Sequence, residues 1–243
     1  MNLVVAMAGR GSRFAGTDYK VPKPLIPIAG KPMLYWAIQS LWEISHSQVI
    51  VIALREHEIH NVSRIICDIA RDAKIVLLPN VTEGQLCTVL AARKFIDNDE
   101  DLLVASSDTY IVSSLASDIK NRSPETRGII SVADMAGDRW SFARTDENGN
   151  VVEVAEKVRI SNHASTGLYY FSNGHEFVSV ADEMIANQEK TRGEYYVIPV
   201  YQKYIQYGWQ VKLSQASEMW DMGTPEALSN FKNFVGNQGD FAK

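Results

Sequence analysis

The stretch from Leu3 to Leu25, LVVAMAGRGSRFAGTDYKVPKPL, limits most sharply what this chain can become. Leu3 to Met7 is an apolar run too short for anything but a buried strand. It breaks into Gly9-Arg10-Gly11-Ser12-Arg13, where glycines let the backbone turn tightly and come close to a ligand. Successive N–H groups in such a turn make a concavity suited to anions. Arg10, Arg13, Lys20 and Lys23 crowd cations around it, and Asp18 is the only acid among them. In Pro22-Lys23-Pro24 two prolines fix the backbone on both sides of the lysine, so its ammonium is aimed. Strand, glycine turn and cations together read as a triphosphate cradle. Two other phosphate-binding patterns do not fit. A dinucleotide fingerprint needs a glycine where Phe14 stands, and no G-x-x-x-x-G-K-[ST] occurs.

The remaining chain reads as alternating strands and helices. Pro32 suits the first position of a helix whose apolar face is Met33, Leu34, Trp36, Ala37, Ile38, Leu41 and Trp42. Val49 to Leu54, Ile75 to Leu78 and Leu102 to Ala105 are further apolar strands. Ile59, Val62, Ile65, Ile66 and Ile69 repeat at helical spacing, and Thr82-Glu83-Gly84 leads into a helix running to Ile96. This alternation predicts an α/β fold, a Rossmann-like, mixed and mostly parallel sheet flanked by helices. Ligands in such sheets bind at the carboxyl ends of the strands, where both the glycine turn and Asp108 fall.

The second half changes rhythm. Ser141 to Arg144 and Val151 to Ala155 flank an Asn-Gly turn, which predicts a β-hairpin insertion. Ile129 to Ala133, Gly167 to Phe171 and Trp209 to Leu213 read as strands, and Tyr196 to Tyr207 as a helix. Thr224-Pro225-Glu226 opens the last helix with a cap, a first-turn proline and a first-turn acid. Gly236 to Lys243 are expected to fray.

Composition excludes several classes. With 243 residues and 46% apolar content, one domain spanning 1–243 is expected. A net charge of −5 argues against nucleic-acid binding, so the basic turn is a local feature. No apolar run approaches bilayer length, so no membrane partner is expected. Cys67 and Cys87 form no metal-ligand spacing, and a reduced, cytoplasmic protein is the expectation. Tyr195, Tyr196, Tyr201, Tyr204 and Trp209 either fill the core or supply a contact surface for a homodimer.

The run A-x-A-G-x-G-S-R…P-K-P-L, Ala6 to Leu25, resembles the signature of the sugar-phosphate nucleotidyltransferases, also called nucleotide-sugar pyrophosphorylases. Ser107-Asp108, Glu156-Lys157, Thr166 to Tyr169 and Trp220 to Glu226 are similar to further landmarks of that family, in its order. The resemblance is nearest to the short bacterial members found among capsule and surface-polysaccharide genes. It implies a GT-A-like nucleotidyltransferase fold, with 1–110 as a nucleotide-binding half and 111–235 as an acceptor-binding half. It also implies Mg²⁺-dependent transfer from an NTP to a phosphorylated acceptor, with release of pyrophosphate.

By this resemblance Arg13 and Lys23 are catalytic, steadying charge at the α-phosphorus. Ala8, Gly9, Gly11, Ser12, Gly84, Thr88 and Ser107 bind the nucleotide. Glu156, Lys157, Gly167, Thr166 and Glu194 bind the acceptor, with Asn162 a weaker candidate. Asp108 and Asp221 are the metal ligands, which suits Mg²⁺ because it commonly takes one or two carboxylates and keeps several waters. Strand alternation would put Glu156 and Lys157 on opposite faces unless the strand ends there. The best-known members carry a glutamine three residues after the glycine of a P-x-G-like loop. Here that slot holds Cys87, with Gln85 two residues early, while Thr88-Val89 resembles the Ser-Val of cytidylyltransferases. CTP is therefore slightly favoured.

Other readings stay open. One is cytidylyl transfer to a phosphorylated non-sugar, such as a phospho-alcohol, phosphonate or phospho-amino acid. A glycosyltransferase would hold its metal with D-x-D, whereas Ser107-Asp108-Thr109 offers one acid. A non-catalytic nucleotide-binding module would have no use for a lysine aimed at the α-phosphorus.

Overall fold

The computed structural model describes residues 1–237. In chain order the strands are β1 (Asn2–Ala6), β2 (Pro27–Ile28), β3 (Lys31–Pro32), β4 (Gln48–Leu54), β5 (Lys74–Leu78), β6 (Leu102–Ser106), β7 (Thr109–Ser113), β8 (Thr126–Asp134), β9 (Ser141–Thr145), β10 (Val151–Glu156), β11 (His163–Phe171) and β12 (Gln210–Asp221). The helices are α1 (Met33–Gln39), α2 (Val62–Ile69), α3 (Gln85–Leu90), α4 (Arg93–Ile96), α5 (Leu115–Lys120), α6 (Gly174–Ala186), α7 (Pro199–Gln206) and α8 (Pro225–Asn237).

The central sheet runs β5-β4-β1-β6-β11-β8-β12-β7. Its first four strands are parallel, so their carboxyl ends share one edge. β11 then runs antiparallel to both β6 and β8. The expected hairpin is present as β9 and β10, paired antiparallel.

β1 reads as a continuous apolar run because both faces of its sheet are covered. Leu3, Val5 and Met7 join one buried cluster with Leu34 and Ile38 of α1. Val4 and Ala8 join the other, with Leu86 and Val89 of α3 and Phe177 of α6. Burying each such valine or leucine contributes roughly 1.5–3 kcal/mol. A third cluster seats α8 against α1 through Phe231, Trp36 and Leu228. Tyr195, Tyr201 and Tyr204 belong to the core. The Tyr201 hydroxyl donates to the carbonyls of Ile129 and Tyr170, fixing α7 to β8 and β11.

Several element expectations are corrected. The helix expected from Tyr196 begins at Pro199, whose fixed φ starts the turn at Ile198. The single helix expected from residue 85 to 96 is broken around Ala92 into α3 and α4. Trp42 and Ile59, assigned to buried helical faces, are exposed, lying beyond α1 and before α2. β7 and α5 went unforeseen. The strand expected to stop at Leu213 continues to Asp221, because β12 pairs first with β8 in parallel and then with β7 in antiparallel. Its second half is too polar to announce itself. Gly236 and Asn237 complete α8, and the rest of the stretch expected to fray lies outside the described residues.

Candidate active site

The glycine turn leaves β1 at the carboxyl edge of the parallel strands. Gly11 adopts φ +61°, and a Cβ there would meet Lys23 Cβ at 3.2 Å, so the turn closes onto the lysine segment. Among the described residues, no protein acceptor takes the N–H groups of Ala8, Gly9, Arg10 or Gly11. Four open donors around one bend form an anion nest. They line one wall of a cleft of about 600 Å³, together with Ser12.

The opposite wall comes from the segment before α3 and its first turn, Val81, Thr82, Gly84, Gln85 and Thr88. Gly84 has φ +137°, and a Cβ there would lie 2.3 Å from the Tyr195 carbonyl oxygen. The two segments are tied by Tyr195 N–H donating to Glu83 and Leu86 N–H donating to Tyr195. This strap brings Glu194, expected on the acceptor side, to the lining of the same cleft as the glycine turn. Thr82 Oγ1 lies 2.6 Å from Thr88 Oγ1, and both are within hydrogen-bond distance of the Gly84 carbonyl. Cys87 does not line the cleft. It packs against the core, whereas Gln85 and Thr88 line the cleft.

Next to this cleft is a smaller cavity of about 160 Å³, lined by Arg13, Asp108, Arg139, Glu156, Thr166, Gly167 and Asp221 among others. Ser12 faces the first cavity and Arg13 the second, so the two abut at the glycine turn. Asp108 follows β6, and Lys23 Nζ donates to its Oδ2. Burial pushes the Asp108 carboxyl up, but Lys23, Arg13 and the Ser106 hydroxyl outweigh it and hold it below the usual carboxylate range.

Asp221 stands 113 residues later and is delivered by pairing. β12 sets Asp221 opposite Thr109, and Met222 N–H donates to the Asp108 carbonyl at 2.8 Å. Burial and the Asp108 charge push Asp221 up, against the pull of Arg139. Arg139 Nη2 donates to Asp221 Oδ2 at 2.7 Å.

Gly223 tests whether this pair suits Mg²⁺. A Cβ at Gly223 would sit 2.8 Å from Asp221 Oδ1 and 3.2 Å from Asp108 Oδ2. Both carboxylates thus border a spot kept open by a missing side chain. Among the described residues no group of three or more His, Cys, Asp or Glu could hold a metal. Two carboxylates with waters and phosphate oxygens fit Mg²⁺.

On the far wall, Glu156 is buried and accepts the Ser141 hydroxyl, and burial pushes its carboxyl up. The face question is settled at Lys157, which has φ +55° because β10 has ended. Its Nζ donates to the Tyr196 hydroxyl at 2.6 Å and lies 3.8 Å from Glu156 Oε1. Gly167 has φ +84°, and a Cβ there would meet Ser106 Oγ at 2.8 Å. Thr166 is buried and donates to the Ser131 carbonyl. Ser107 is buried and lines neither cavity. Asn162 Oδ1 accepts from Arg159 outside both cavities. Sequence reasoning missed Arg139, Trp140, Ser141 and Ser165, which line the second cavity. No local motif marks them.

An anion nest and a carboxylate pair on the strand ends of a mixed α/β sheet define a nucleotide-binding protein with room for a second substrate. The chain belongs to the nucleotidyl transferase family, whose profile matches residues 3–238. It is 27% identical over 208 residues to the bifunctional protein GlmU of Thermotoga petrophila, covering 81% of this chain and 43% of that protein. The chain thus spans less than half the length of that relative. It is 25% identical over 244 residues to the glucose-1-phosphate thymidylyltransferase of Neisseria meningitidis, covering 97% and 82% of the two chains. The crystal structure of the nucleoside-diphosphate-sugar pyrophosphorylase of Vibrio cholerae matches with TM-score 0.80 and 25% identity, covering 95% of this chain and 99% of that one. The inositol-1-phosphate CTP transferase of T. maritima, at 15% identity and TM-score 0.78, covers 100% and 97% and shares the fold.

Proposed function

We propose that this protein transfers a nucleotidyl group from an NTP to a phosphorylated sugar and releases pyrophosphate. The observation that carries the reading is the meeting of Arg13, Asp108 and Asp221 in the small cavity that abuts the cleft at the glycine turn, with Lys23 bonded to Asp108. An oxygen of the acceptor phosphate attacks the α-phosphorus in line. The bond from that phosphorus to the pyrophosphate oxygen breaks, and its electron pair leaves with pyrophosphate. No covalent enzyme intermediate is needed, so the protein has to position and neutralise.

The nest at Ala8 to Gly11 holds the polyphosphate, with Ser12 beside it. Arg13 and Lys23 meet the charge developing at the α-phosphorus. Glu156, Thr166, Gly167 and Lys157 shape the acceptor side. Asp108 and Asp221 would hold Mg²⁺, which supplies charge neutralisation between the two anions when bound. Residues 1–110 carry the nucleotide work and 111–235 most of the acceptor work.

Thr88, which lines the cleft and with Val89 resembles the Ser-Val of cytidylyltransferases, supports CTP as slightly favoured. The resemblance to short bacterial members supports a product that feeds capsule or surface polysaccharide. A second reading, cytidylyl transfer to a phosphorylated non-sugar, draws on the small volume of the acceptor cavity, about 160 Å³ against about 600 Å³ for the cleft.

A pyrophosphate-release assay crossing the common NTPs with sugar 1-phosphates and non-sugar phosphates tests this. One NTP with one sugar phosphate should stand clear of controls lacking acceptor. Release with a non-sugar phosphate alone moves the assignment to the second reading. No release with any pair removes both.

A further inference from the structure

We propose that Arg139 is a displaceable counter-ion of the metal carboxylates that becomes a phosphate ligand of the acceptor. The inference rests on the transfer reaction proposed above. Each carboxylate of the pair has its own cation, Lys23 on Asp108 and Arg139 on Asp221. The Asp221 side chain is only 9% exposed, so its charge is held in poorly screened surroundings. A divalent ion arriving between Asp108 and Asp221 meets a guanidinium bonded to one of its two carboxylates, and the two positive groups repel. Arg139 holds Asp221 Oδ2 while Oδ1 borders the open spot, so the ion competes with the arginine through its charge and weakens its hold on Asp221.

Its surroundings decide where it goes. The guanidinium carbon lies 4.2 Å from the Trp140 ring centroid. Trp140 is held by its indole N–H donating to the Ala136 carbonyl and by Lys157 N–H donating to the Trp140 carbonyl. Arg159 clamps the same loop through the carbonyls of Met135 and Gly137. The held loop and the neighbouring ring keep the guanidinium, which is 39% exposed, at the mouth of the small cavity it shares with Glu156 and Gly167. Asp108 and Glu156 in that cavity are already bonded to Lys23 and Ser141, and a planar fork of donors suits an incoming acceptor phosphate. Metal binding therefore frees the group that grips the second substrate, which favours metal before acceptor.

The test measures Mn²⁺ binding by the EPR signal of free Mn²⁺, without nucleotide, on wild type, Arg139→Ala, Arg139→Lys and Asp221→Asn. Arg139→Ala should bind Mn²⁺ at least about fivefold more tightly than wild type, because a competing charge is gone. Arg139→Lys should stay near wild type, and Asp221→Asn should bind weakly. In turnover, Arg139→Ala should raise the acceptor KM about 10- to 100-fold and leave the NTP KM within about twofold. Arg139→Lys should recover part of the acceptor KM. A merely structural arginine would loosen Mn²⁺ binding or move both KM values together. Unchanged or weaker Mn²⁺ binding by Arg139→Ala overturns the inference even where wild type is fully active, as does Mn²⁺ binding that ignores Asp221→Asn. Absence of pyrophosphate release from wild type removes the proposed function instead, and the Mn²⁺ comparison still reads.

Discussion

Single charges in this site pull in opposite directions. Asp108 is held below the usual carboxylate range, so its ionised form stabilises the fold. That contribution is present above the unfolded value of about 3.9 and is lost as pH falls through the lowered folded value. Asp221 is pushed up by burial and by Asp108, so its ionised form costs stability above about pH 4 and nothing well below it. Thermal melts in chelator near neutral pH should therefore show Asp221→Asn more stable than wild type and Asp108→Asn less stable. The first difference should vanish in acid, while the second persists to lower pH. Melts that move the same way for both variants would contradict this account.

Lys23→Ala removes the main partner of Asp108. The pair is about four-fifths buried, and about 2 kcal/mol of stability should go, between the values of exposed and fully buried pairs. Turnover should fall further, about 10²–10³-fold, as for loss of one donor to a developing charge. Equal turnover would strip Lys23 of its role. Gly223→Ala places a methyl group against two carboxylate tips that can move, so the melting temperature should hold while Mn²⁺ affinity falls. Unchanged affinity would mean that the metal binds elsewhere.

Among the elements, β12 does the most to assemble the site. It runs beside β8, shifts register near Ala216, and crosses to β7, setting Asp221 opposite Thr109. α3 is the other decisive element, because its N-terminus is strapped to Tyr195. Gly84→Ala would drive a Cβ into backbone at 2.3 Å, at a φ that L residues rarely adopt. A loss of about 3 kcal/mol or more is expected, with the base wall displaced. Chemical denaturation measures the first and nucleotide affinity the second, and a wild-type midpoint would refute the strap. Gly128→Ala meets the Tyr201 ring at 2.4 Å and should cost about 1–3 kcal/mol through the same kind of overpacking, without touching nucleotide binding.

Taken whole, the chain is bound together by one sheet that passes from residues 1–110 into 111–235. β11 pairs with β6, so 1–110 alone would expose the β6 edge. A 1–110 fragment should therefore be unfolded or aggregated by circular dichroism and gel filtration, and a cooperatively folded fragment would refute the shared sheet. The matching NTP with Mg²⁺, at about a hundred times its Kd, adds about 2.7 kcal/mol and should raise the melting temperature of the full chain by roughly 5–10 °C. A non-matching base should do less. No helix among the described residues is long and apolar enough to cross a membrane.

Much of this was legible in the residues before any coordinates. The parallel half was readable because strands buried on both faces are continuous apolar runs, as Leu3 to Met7 and Val49 to Leu54 are. The glycine turn and the aimed Lys23 were readable because backbone freedom and its restriction are local properties of Gly and Pro. Arg139, the left-handed Lys157 that ends β10, and the placement of Glu194 in the cleft of the glycine turn were not. Each depends on a contact between segments distant in sequence, and polar residues such as Ser214 to Glu218 carry no periodic signal of the strand they form. Sequence alone determined the layers and the phosphate turn, because burial pattern and backbone conformation are set within a few residues. Tertiary structure alone decided that Asp221 faces Asp108 and that Arg139 pairs with Asp221, because strand register and charge proximity exist only once the sheet has closed.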